Sequence, residues 1–246
     1  LYRIIIRFGY QFDFYLPHDC PKLPYEDEII QNGGKIYRFA YGKTENVFLH
    51  FINIYRVLKA SGVVGVYINT CVLVDIDFLI IAKMLKKPVR IIHSHNGGYM
   101  SEMSHLNQLL EMRNKKIVSR YSTGLLACSD IAGKWMFGSK WDSNGVLIKN
   151  GINSKFFLFN EEKRNEMRKK LDIEKDFVVG FIGRFELQKN PLFLIEIFKE
   201  IVKKHPASKL LLVGEGSMHN KMNTKLIEYG LKDYVIYTGV VDDVYN

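Results

Sequence analysis

The stretch FVVGFIGRFELQKNP, residues 177–191, joins an apolar run to a polar loop and the start of a helix. Residues 177–183 are typical of a buried strand in a parallel sheet, and Asn190-Pro191 is typical of a helix start. Arg184 and Lys189 lie between the two. Ligands bind at the carboxyl ends of strands in open α/β sheets, and free N–H groups at a helix start favour anions. The stretch therefore predicts a phosphate site.

A second predicted strand, residues 209–213, runs into the sequence Gly214-Glu215-Gly216. Glycine permits a tight turn or a close approach of the backbone to a ligand, so this loop is a second part of the predicted site. A third predicted strand, residues 235–238, leads into a turn after Gly239. Taken alone, each of these features also fits an ordinary surface loop with solvated cations.

Short apolar runs alternate with longer amphipathic segments along the chain, which predicts an α/β protein with parallel sheets. A turn-type cluster near residue 150 separates two sets of such units, so we expect two doubly wound domains. The predicted strands of the first domain are residues 11–16, 35–39, 64–69, 89–94, 124–127 and 146–148. The predicted helices are residues 25–31, 46–60, 75–85, 105–121, 129–137 and 161–171, with a further helix from Pro191.

The chain has 246 residues and a formal net charge of +9, and 47% of its residues are hydrophobic. This composition can fill buried cores and excludes a disordered or fibrous protein. Cys20, Cys71 and Cys128 are far apart and odd in number, which excludes a disulfide framework and a zinc knuckle. A reducing cytosol fits this usage. Polar and charged residues interrupt the most apolar stretch, residues 63–85, so we expect no membrane span.

Most of the basic excess lies in the first domain, and a basic surface attracts either nucleic acid or an anionic membrane. No nucleic-acid motif of known docking geometry is present, so we expect no nucleic-acid partner. The predicted helix 105–121 combines basic residues with apolar ones that include Leu106 and Leu109. We interpret it as a solvated basic face above a core-facing apolar stripe, with peripheral contact to an anionic membrane as the alternative.

His93 and His95 continue an apolar run at period two, so a strand reaching that far would place both on one face. His-x-His also occurs in metal sites, but no third ligand lies at a usual spacing, and we predict no metal there. We expect His93 to be buried support. Asp75 and Asp77 form a D-x-D pair of the kind that can hold a divalent cation. Because an apolar helical run follows Asp75 and Asp77, we interpret them as acidic residues at a helix start and not as a cation site.

Four motifs in the chain have a specific order and spacing: GRFELQKNP (183–191), VGEGS (213–217), VIYTGVVDDV (235–244) and IKNGIN (148–153). They resemble, respectively, a G-R-x4-K-[NG] segment, a G-x-G loop, the strand and turn beside a nucleotide base, and an interdomain linker. The family with these motifs is the retaining GT-B glycosyltransferases of family 4, particularly bacterial exopolysaccharide and capsule enzymes. In the first domain the segments that resemble this family are residues 11–37, 90–98 and 127–138.

The resemblance implies two Rossmann-like domains of the GT-B fold, an acceptor-side domain over residues 1–149 and a nucleotide-sugar domain over residues 150–246. We expect both to be incomplete, since the family's E-x7-E carboxylates, final helices and glycine-rich first strand-loop are not found in the sequence. Residues 1–10 read like the tail of a helix, and another helix starts within residues 242–246. The expectation is therefore a family member truncated at both ends.

The resemblance also assigns roles to individual residues. Arg184 and Lys189 would contact the donor diphosphate, and the turn after Gly239 would lie near the base. His95 matches the histidine that the family places near the transferred sugar, and it is the implied catalytic residue. The implied donor-binding residues are Gly183, Arg184, Lys189, Gly214, Glu215, Gly216 and Val240.

The implied reaction is transfer of a sugar from a nucleotide donor, a UDP-sugar, to a lipid-linked saccharide in surface polysaccharide synthesis. The anomeric configuration is kept, and neither a metal nor a cofactor takes part. The donor would lie between the two domains. The expected location is the cytoplasm, with contact to the cytoplasmic face of a membrane as an option. The alternative is a catalytically inactive fragment or a nucleotide-binding two-lobed protein.

Overall fold

Among the residues that the structure describes, every strand pair is parallel, and the strands form three sheets. The computed structural model describes residues 2–23, 25–39, 42–43, 45–99, 103–241 and 244. The chain divides into two units, Leu1–Asn150 and Gly151–Asn246. The predicted α/β fold with parallel sheets is confirmed. The helix expected within residues 242–246 lies, apart from residue 244, outside the described residues.

Unit 1 contains a two-stranded and a four-stranded sheet. Its strands are β1 (Phe14–Pro17), β2 (Ile36–Phe39), β3 (Gly65–Thr70), β4 (Val89–Ser94), β5 (Gly124–Ala127) and β6 (Gly145–Leu147). Strand β1 pairs with β2, and β3 to β6 lie side by side in chain order. Its helices are α1 (Tyr2–Ile5), α2 (Glu26–Gln31), α3 (Val47–Ala60), α4 (Asp77–Met84), α5 (His105–Tyr121), α6 (Asp130–Phe137) and α7 (Ser139–Asn144).

Two element starts in unit 1 differ from the predicted ones by more than one residue. The strand predicted from residue 11 begins at Phe14, where pairing with Ile36 of β2 begins. The helix predicted from residue 75 begins at Asp77, and its buried apolar residues are Leu79, Ile81 and Ala82. Helix α7 was not predicted, and it follows directly on a turn at Gly138, whose φ is 58°.

The cores of unit 1 lie between the four-stranded sheet and its helices. Ile92 of β4 and Ala127 of β5 are fully buried, as are Leu79 of α4, Val118 of α5 and Met136 of α6. A second cluster packs α3 and α4 against β2 and β3. Since helices join successive parallel strands, this packing brings the carboxyl ends of β3, β4 and β5 to one edge.

Unit 2 contains one three-stranded sheet in the order β7 (Phe177–Ile182), β8 (Ser208–Val213) and β9 (Val235–Gly239). Its helices are α8 (Glu161–Lys170), α9 (Pro191–Lys204) and α10 (His219–Glu228), of which α10 was not predicted. Buried and half-buried residues alternate along β8, and Leu210 and Leu212 pack against α9 and α10. Pro191 occupies the first turn of α9, as the sequence predicts.

Of the helices within the described residues, none combines the length and the apolar character that crossing a membrane requires.

Candidate functional site

The carboxyl ends of the three strands of unit 2 are linked by backbone hydrogen bonds. The amide of Gly183, just after β7, donates to the carbonyl of Val213 over 2.9 Å. The amide of Gly214, just after β8, donates to the carbonyl of Gly239 over 2.8 Å. The amide of Phe185 donates to the carbonyl of Glu215 over 2.8 Å. The predicted strand-end loops therefore lie side by side at one edge of the sheet.

The glycines of the G-x-G loop permit this close contact between backbones. A Cβ atom at Gly214 would lie 2.2 Å from the carbonyl oxygen of Gly183, and one at Gly216 would lie 2.5 Å from that of Phe185. Gly214 also has a φ of 132°, which side chains with a Cβ rarely adopt. The sequence predicted that the backbone at these glycines lies close to a ligand. At Gly214 and Gly216 the backbone instead lies close to the neighbouring loop.

Glu186 ties the same two loops together through its carboxylate. One carboxylate oxygen accepts from the amide of Ser217 over 2.9 Å, and the other accepts from the Ser217 hydroxyl over 2.7 Å. These hydrogen bonds lower the pKa of Glu186, and the charge of Arg184 contributes in the same direction. Glu186 was not predicted as a site residue, because the contact depends on a residue 31 positions away.

Arg184 and Lys189 are both exposed on the loop between β7 and α9. Lys189 ends a short 3-10 helix, Leu187–Lys189, and Asn190 follows with a left-handed φ of 47° before α9 begins. Across the described ranges, neither cation forms an ion pair within 4.0 Å. Both are therefore available to an anionic ligand.

An open groove of about 680 Å³ lies at the ends of β8 and β9. Its lining consists of Gly214, Glu215, Gly216, His219, Tyr237 and Gly239. Three of the predicted donor-binding residues are in this lining. Gly183, Arg184 and Lys189 follow β7 on the same edge of the sheet, and Val240 is 71% exposed just after β9. A smaller groove of about 300 Å³, between α8 and the sheet, contains none of the predicted site residues.

His219 and Tyr237 form an aromatic wall of this groove, and neither residue was predicted as part of the site. Their ring centroids lie 4.8 Å apart, and the buried ring of Phe185 lies 6.2 Å from each. The Tyr237 hydroxyl donates to the side chain of Asn223 over 3.0 Å, and burial raises the pKa of Tyr237. Only the prediction of α10, which places His219 at its start, would have indicated this wall.

His95 lies in unit 1, one residue beyond the end of β4. Its ring lies 4.2 Å from that of His93, so the two histidines share one face as the period-two pattern predicts. Nε2 of His95 is 2.9 Å from Oδ1 of Asn69, and Nδ1 of His93 is 2.6 Å from the hydroxyl of Tyr67. His93 is only 4% exposed, whereas His95 is partly exposed. The structure therefore leaves His95 accessible and makes His93 its buried neighbour.

Asp75, Asp77 and His50 form the one group of possible metal ligands found among the described residues, with ligand atoms within 4.8 Å of one another. Lys43 already lies 3.1 Å from Asp75 and 2.9 Å from Asp77, so its ammonium offsets part of the negative charge of these carboxylates. Burial lowers the pKa of Lys43, but the two acids raise it by more. An Asp75 oxygen accepts from the Asp77 amide over 2.9 Å, which supports the helix-start interpretation.

The interpretation of α5 is wrong for two of its apolar residues. Leu106 and Leu109 were expected to face the core, but they are 66% and 60% exposed. The buried face contains Asn114, whose side chain donates to the carbonyl of Leu73 over 2.6 Å and so fixes the rotation of the helix. The exposed face of α5 therefore combines apolar and basic residues: Leu106, Leu109, Met112, Arg113, Lys116 and Arg120.

The comparisons with known proteins agree with this architecture. Residues 163–246 match the family described as Glycosyl transferases group 1. The whole chain is 25% identical to a putative glycosyltransferase, EpsF of Bacillus subtilis (strain 168), over 255 residues that cover 65% of EpsF.

Solved structures show the same fold. The HepE protein of Anabaena in complex with UDP has a TM-score of 0.69 at 16% identity, covering 92% of this chain and 61% of HepE. WaaG, a glycosyltransferase involved in lipopolysaccharide biosynthesis, has a TM-score of 0.63 at 15% identity, covering 99% of this chain and 65% of WaaG. The chain thus spans less than two thirds of these proteins. Residues 163–246 thus match the family model of group 1 glycosyltransferases, and the chain has the α/β fold of these solved proteins.

Proposed function

We propose that the protein is a retaining glycosyltransferase of family 4 that transfers a sugar from a UDP-sugar to a lipid-linked saccharide in surface polysaccharide synthesis. The observation that carries the proposal is the groove of about 680 Å³ on the strand-end edge that also bears Arg184 and Lys189. Small-molecule sites have volumes of about 300 to 1,000 Å³. The similarity to HepE, solved with UDP, and to WaaG supports the choice of donor and of pathway class.

In this proposal the diphosphate and the nucleoside of UDP contact different residues at the carboxyl-end edge of the unit 2 sheet. The diphosphate is bound by Arg184 and Lys189, and the amide groups at the start of α9 add a favourable electrostatic field. The base and ribose pack against the aromatic wall of His219 and Tyr237, near Val240. The Glu186–Ser217 contact holds the two loops in place.

The proposed chemical role of Arg184 and Lys189 is to stabilise the leaving diphosphate. Negative charge develops on the diphosphate as its bond to the sugar breaks, so fixed cations stabilise the transition state more than the ground state. We propose that Arg184 and Lys189 take this role instead of a metal. We propose His95 as the catalytic residue, which would hydrogen bond to the transferred sugar. Transfer measured as released UDP should therefore survive chelation by EDTA, with the product keeping the donor's anomeric configuration.

The test of the donor site compares UDP with uridine. Charge-assisted hydrogen bonds contribute about 1.5 to 3 kcal/mol, so Arg184→Ala should weaken UDP binding about 10 to 100-fold in a calorimetric titration. Arg184→Lys should restore only part of the affinity, because it lacks the planar fork that binds two oxygens. Uridine should bind all variants equally. Lys204→Ala, at the far end of α9, is the matched control and should bind UDP like the wild type.

Two results would contradict the proposal. Unchanged UDP affinity in Arg184→Ala would remove the phosphate assignment. UDP binding without any released UDP from a set of UDP-sugars and lipid-linked acceptors would instead favour a nucleotide-binding protein that is not an enzyme.

We further propose that the exposed face of α5 contacts the cytoplasmic surface of an anionic membrane, where a lipid-linked acceptor would be found. Exposed leucines can enter the headgroup region while the basic residues of the same face meet anionic lipids. Each cation near such a surface contributes about 1 kcal/mol, so binding should weaken as salt rises. In this proposal the protein acts in the cytoplasm, at a membrane surface.

Vesicle cosedimentation tests this contact. The wild type should bind vesicles of phosphatidylcholine and phosphatidylglycerol better than vesicles of phosphatidylcholine alone. Leu109→Gln should reduce binding to both, whereas Lys116→Gln should reduce only the preference for phosphatidylglycerol. Val64→Gln, at a residue of unit 1 that is 66% exposed, is the control. Equal binding of wild type and Leu109→Gln would exclude this face as the membrane contact.

A further inference from the structure

Two side chains of β3 each hydrogen bond to a histidine of the neighbouring strand end. Tyr67 and Asn69 lie on β3, and His93 pairs with Asn69 in the parallel register. The Tyr67 hydroxyl is 2.6 Å from Nδ1 of His93, and Oδ1 of Asn69 is 2.9 Å from Nε2 of His95. With the imidazole centroids 4.2 Å apart, the four side chains form one polar row.

The amide oxygen of Asn69 determines where His95 carries its proton. A carboxamide oxygen has lone pairs and no hydrogen, so it can only accept a hydrogen bond. Nε2 of His95 must then be the donor. In a neutral imidazole the other nitrogen, Nδ1, keeps its lone pair. Within the residues that the structure describes, Nδ1 of His95 has no hydrogen-bond partner.

His93 is an uncharged neighbour of His95. Burial lowers the pKa of His93, and the proximity of His95 lowers it further. His93 is therefore neutral at neutral pH, and its contact with Tyr67 holds the ring in place. His95 consequently packs against an uncharged ring of fixed orientation.

We infer that Asn69 is a positioning residue that fixes His95 as the Nε2-protonated tautomer and leaves Nδ1 as a hydrogen-bond acceptor. The kinetic consequence rests on the proposed function, in which His95 is the catalytic residue.

The tautomer can be measured without any turnover. In two-bond ¹⁵N–¹H correlation spectra of the histidine-labelled protein, the two tautomers of imidazole give different patterns, and His95→Gln identifies the His95 signals by their loss. We expect the Nε2-protonated pattern in the wild type and in Asn69→Asp, which keeps an oxygen acceptor. Asn69→Lys replaces the acceptor with a donor and should invert the pattern. Asn69 is exposed, so these side chains can be accommodated.

Tyr67→Phe is the matched control, since it should alter the signals of His93 and leave the tautomer of His95 unchanged. An Nδ1-protonated His95 in the wild type, or an unchanged pattern in Asn69→Lys, would overturn the inference.

Kinetics separate this inference from the proposed function. Losing one hydrogen bond of this kind lowers kcat about 10-fold in Asn69→Lys with the donor KM unchanged, and Asn69→Asp should keep wild-type turnover. If the spectra give the expected patterns but His95→Ala retains full turnover, the tautomer assignment stands and the proposed role of His95 fails. If His95→Ala loses turnover while the spectra contradict the expected patterns, the role of His95 stands and Asn69 does not position it.

Discussion

Gly214→Ala tests whether the donor loops depend on direct contact between their backbones. The added Cβ would lie 2.2 Å from the carbonyl oxygen of Gly183, whereas non-bonded carbon contacts are normally about 3.5 Å. One loop must therefore move by about 1 Å. The movement cannot be absorbed by a flexible side chain, because the atom met is backbone and the amide of Gly183 is itself hydrogen bonded to Val213.

The expected magnitude follows from two contributions. Overpacking costs about 1 to 3 kcal/mol, and a residue with a Cβ at a φ of 132° costs about 1 to 3 kcal/mol more. The sum is about 2 to 6 kcal/mol, against a typical domain stability of about 5 to 15 kcal/mol. Unit 2 should therefore remain folded while its strand-end edge opens more often.

Amide hydrogen exchange followed by mass spectrometry measures this opening. Peptides that contain the amides of Gly183 and Phe185 should exchange about 30-fold faster or more in Gly214→Ala, since 1.4 kcal/mol is tenfold. Gly180→Ala is the matched control, because a Cβ at that strand position meets nothing within 4 Å. Unchanged exchange in Gly214→Ala would refute the argument that these loops require glycine for contact with each other.

Three further predictions concern one ion pair and two packing contacts, each within a single unit. The guanidinium of Arg38 lowers the pKa of Glu26 to about 2 from 4.5, so the pair stabilises unit 1 fully above about pH 4.5 and this stabilisation is lost as the pH falls toward 2. Urea unfolding followed by tryptophan fluorescence should therefore show a smaller acid loss of stability in Glu26→Gln, and equal losses would contradict the pairing. Gly133→Ala would place a Cβ 2.2 Å from the Trp141 ring, so it should destabilise unit 1 by about 1 to 3 kcal/mol and shift the tryptophan emission. Phe185→Ala, at a fully buried residue, should destabilise unit 2 by about 3 to 5 kcal/mol by circular dichroism, and a loss below about 1 kcal/mol would place Phe185 outside the core.

Helices and strands were predictable wherever the local pattern was strong. Strands β4 and β5 and helix α5 have the predicted bounds, since an apolar run or a period near 3.6 specifies each of them locally. Helix α10 was missed because the glycine loop before it gives no helix-start signal and its polar residues outnumber its apolar ones. The rotation of α5 was also missed, because the buried Asn114 contributes a hydrogen bond that a search for apolar stripes does not detect.

Several residues of the candidate site were predictable from the sequence, but the contacts between its loops were not. Arg184, Lys189 and the G-x-G loop could be singled out because strand ends and glycines are visible along the chain. Glu186 could not, since its partner Ser217 follows a different strand. His219 could not either, because it reaches the groove only through the position of α10.

The sequence by itself determined the α/β class, the order of most elements and the motifs that resemble group 1 glycosyltransferases, because these depend on residues close together in the chain. Only the tertiary structure decided that the glycines of the G-x-G loop face the backbone of the neighbouring loop, that Asn69 contacts His95, and that Leu106 and Leu109 of α5 are exposed. Each of these depends on the register of neighbouring strands or the rotation of a helix. Both are set by packing between segments that are distant in sequence, and local periodicity does not contain that information.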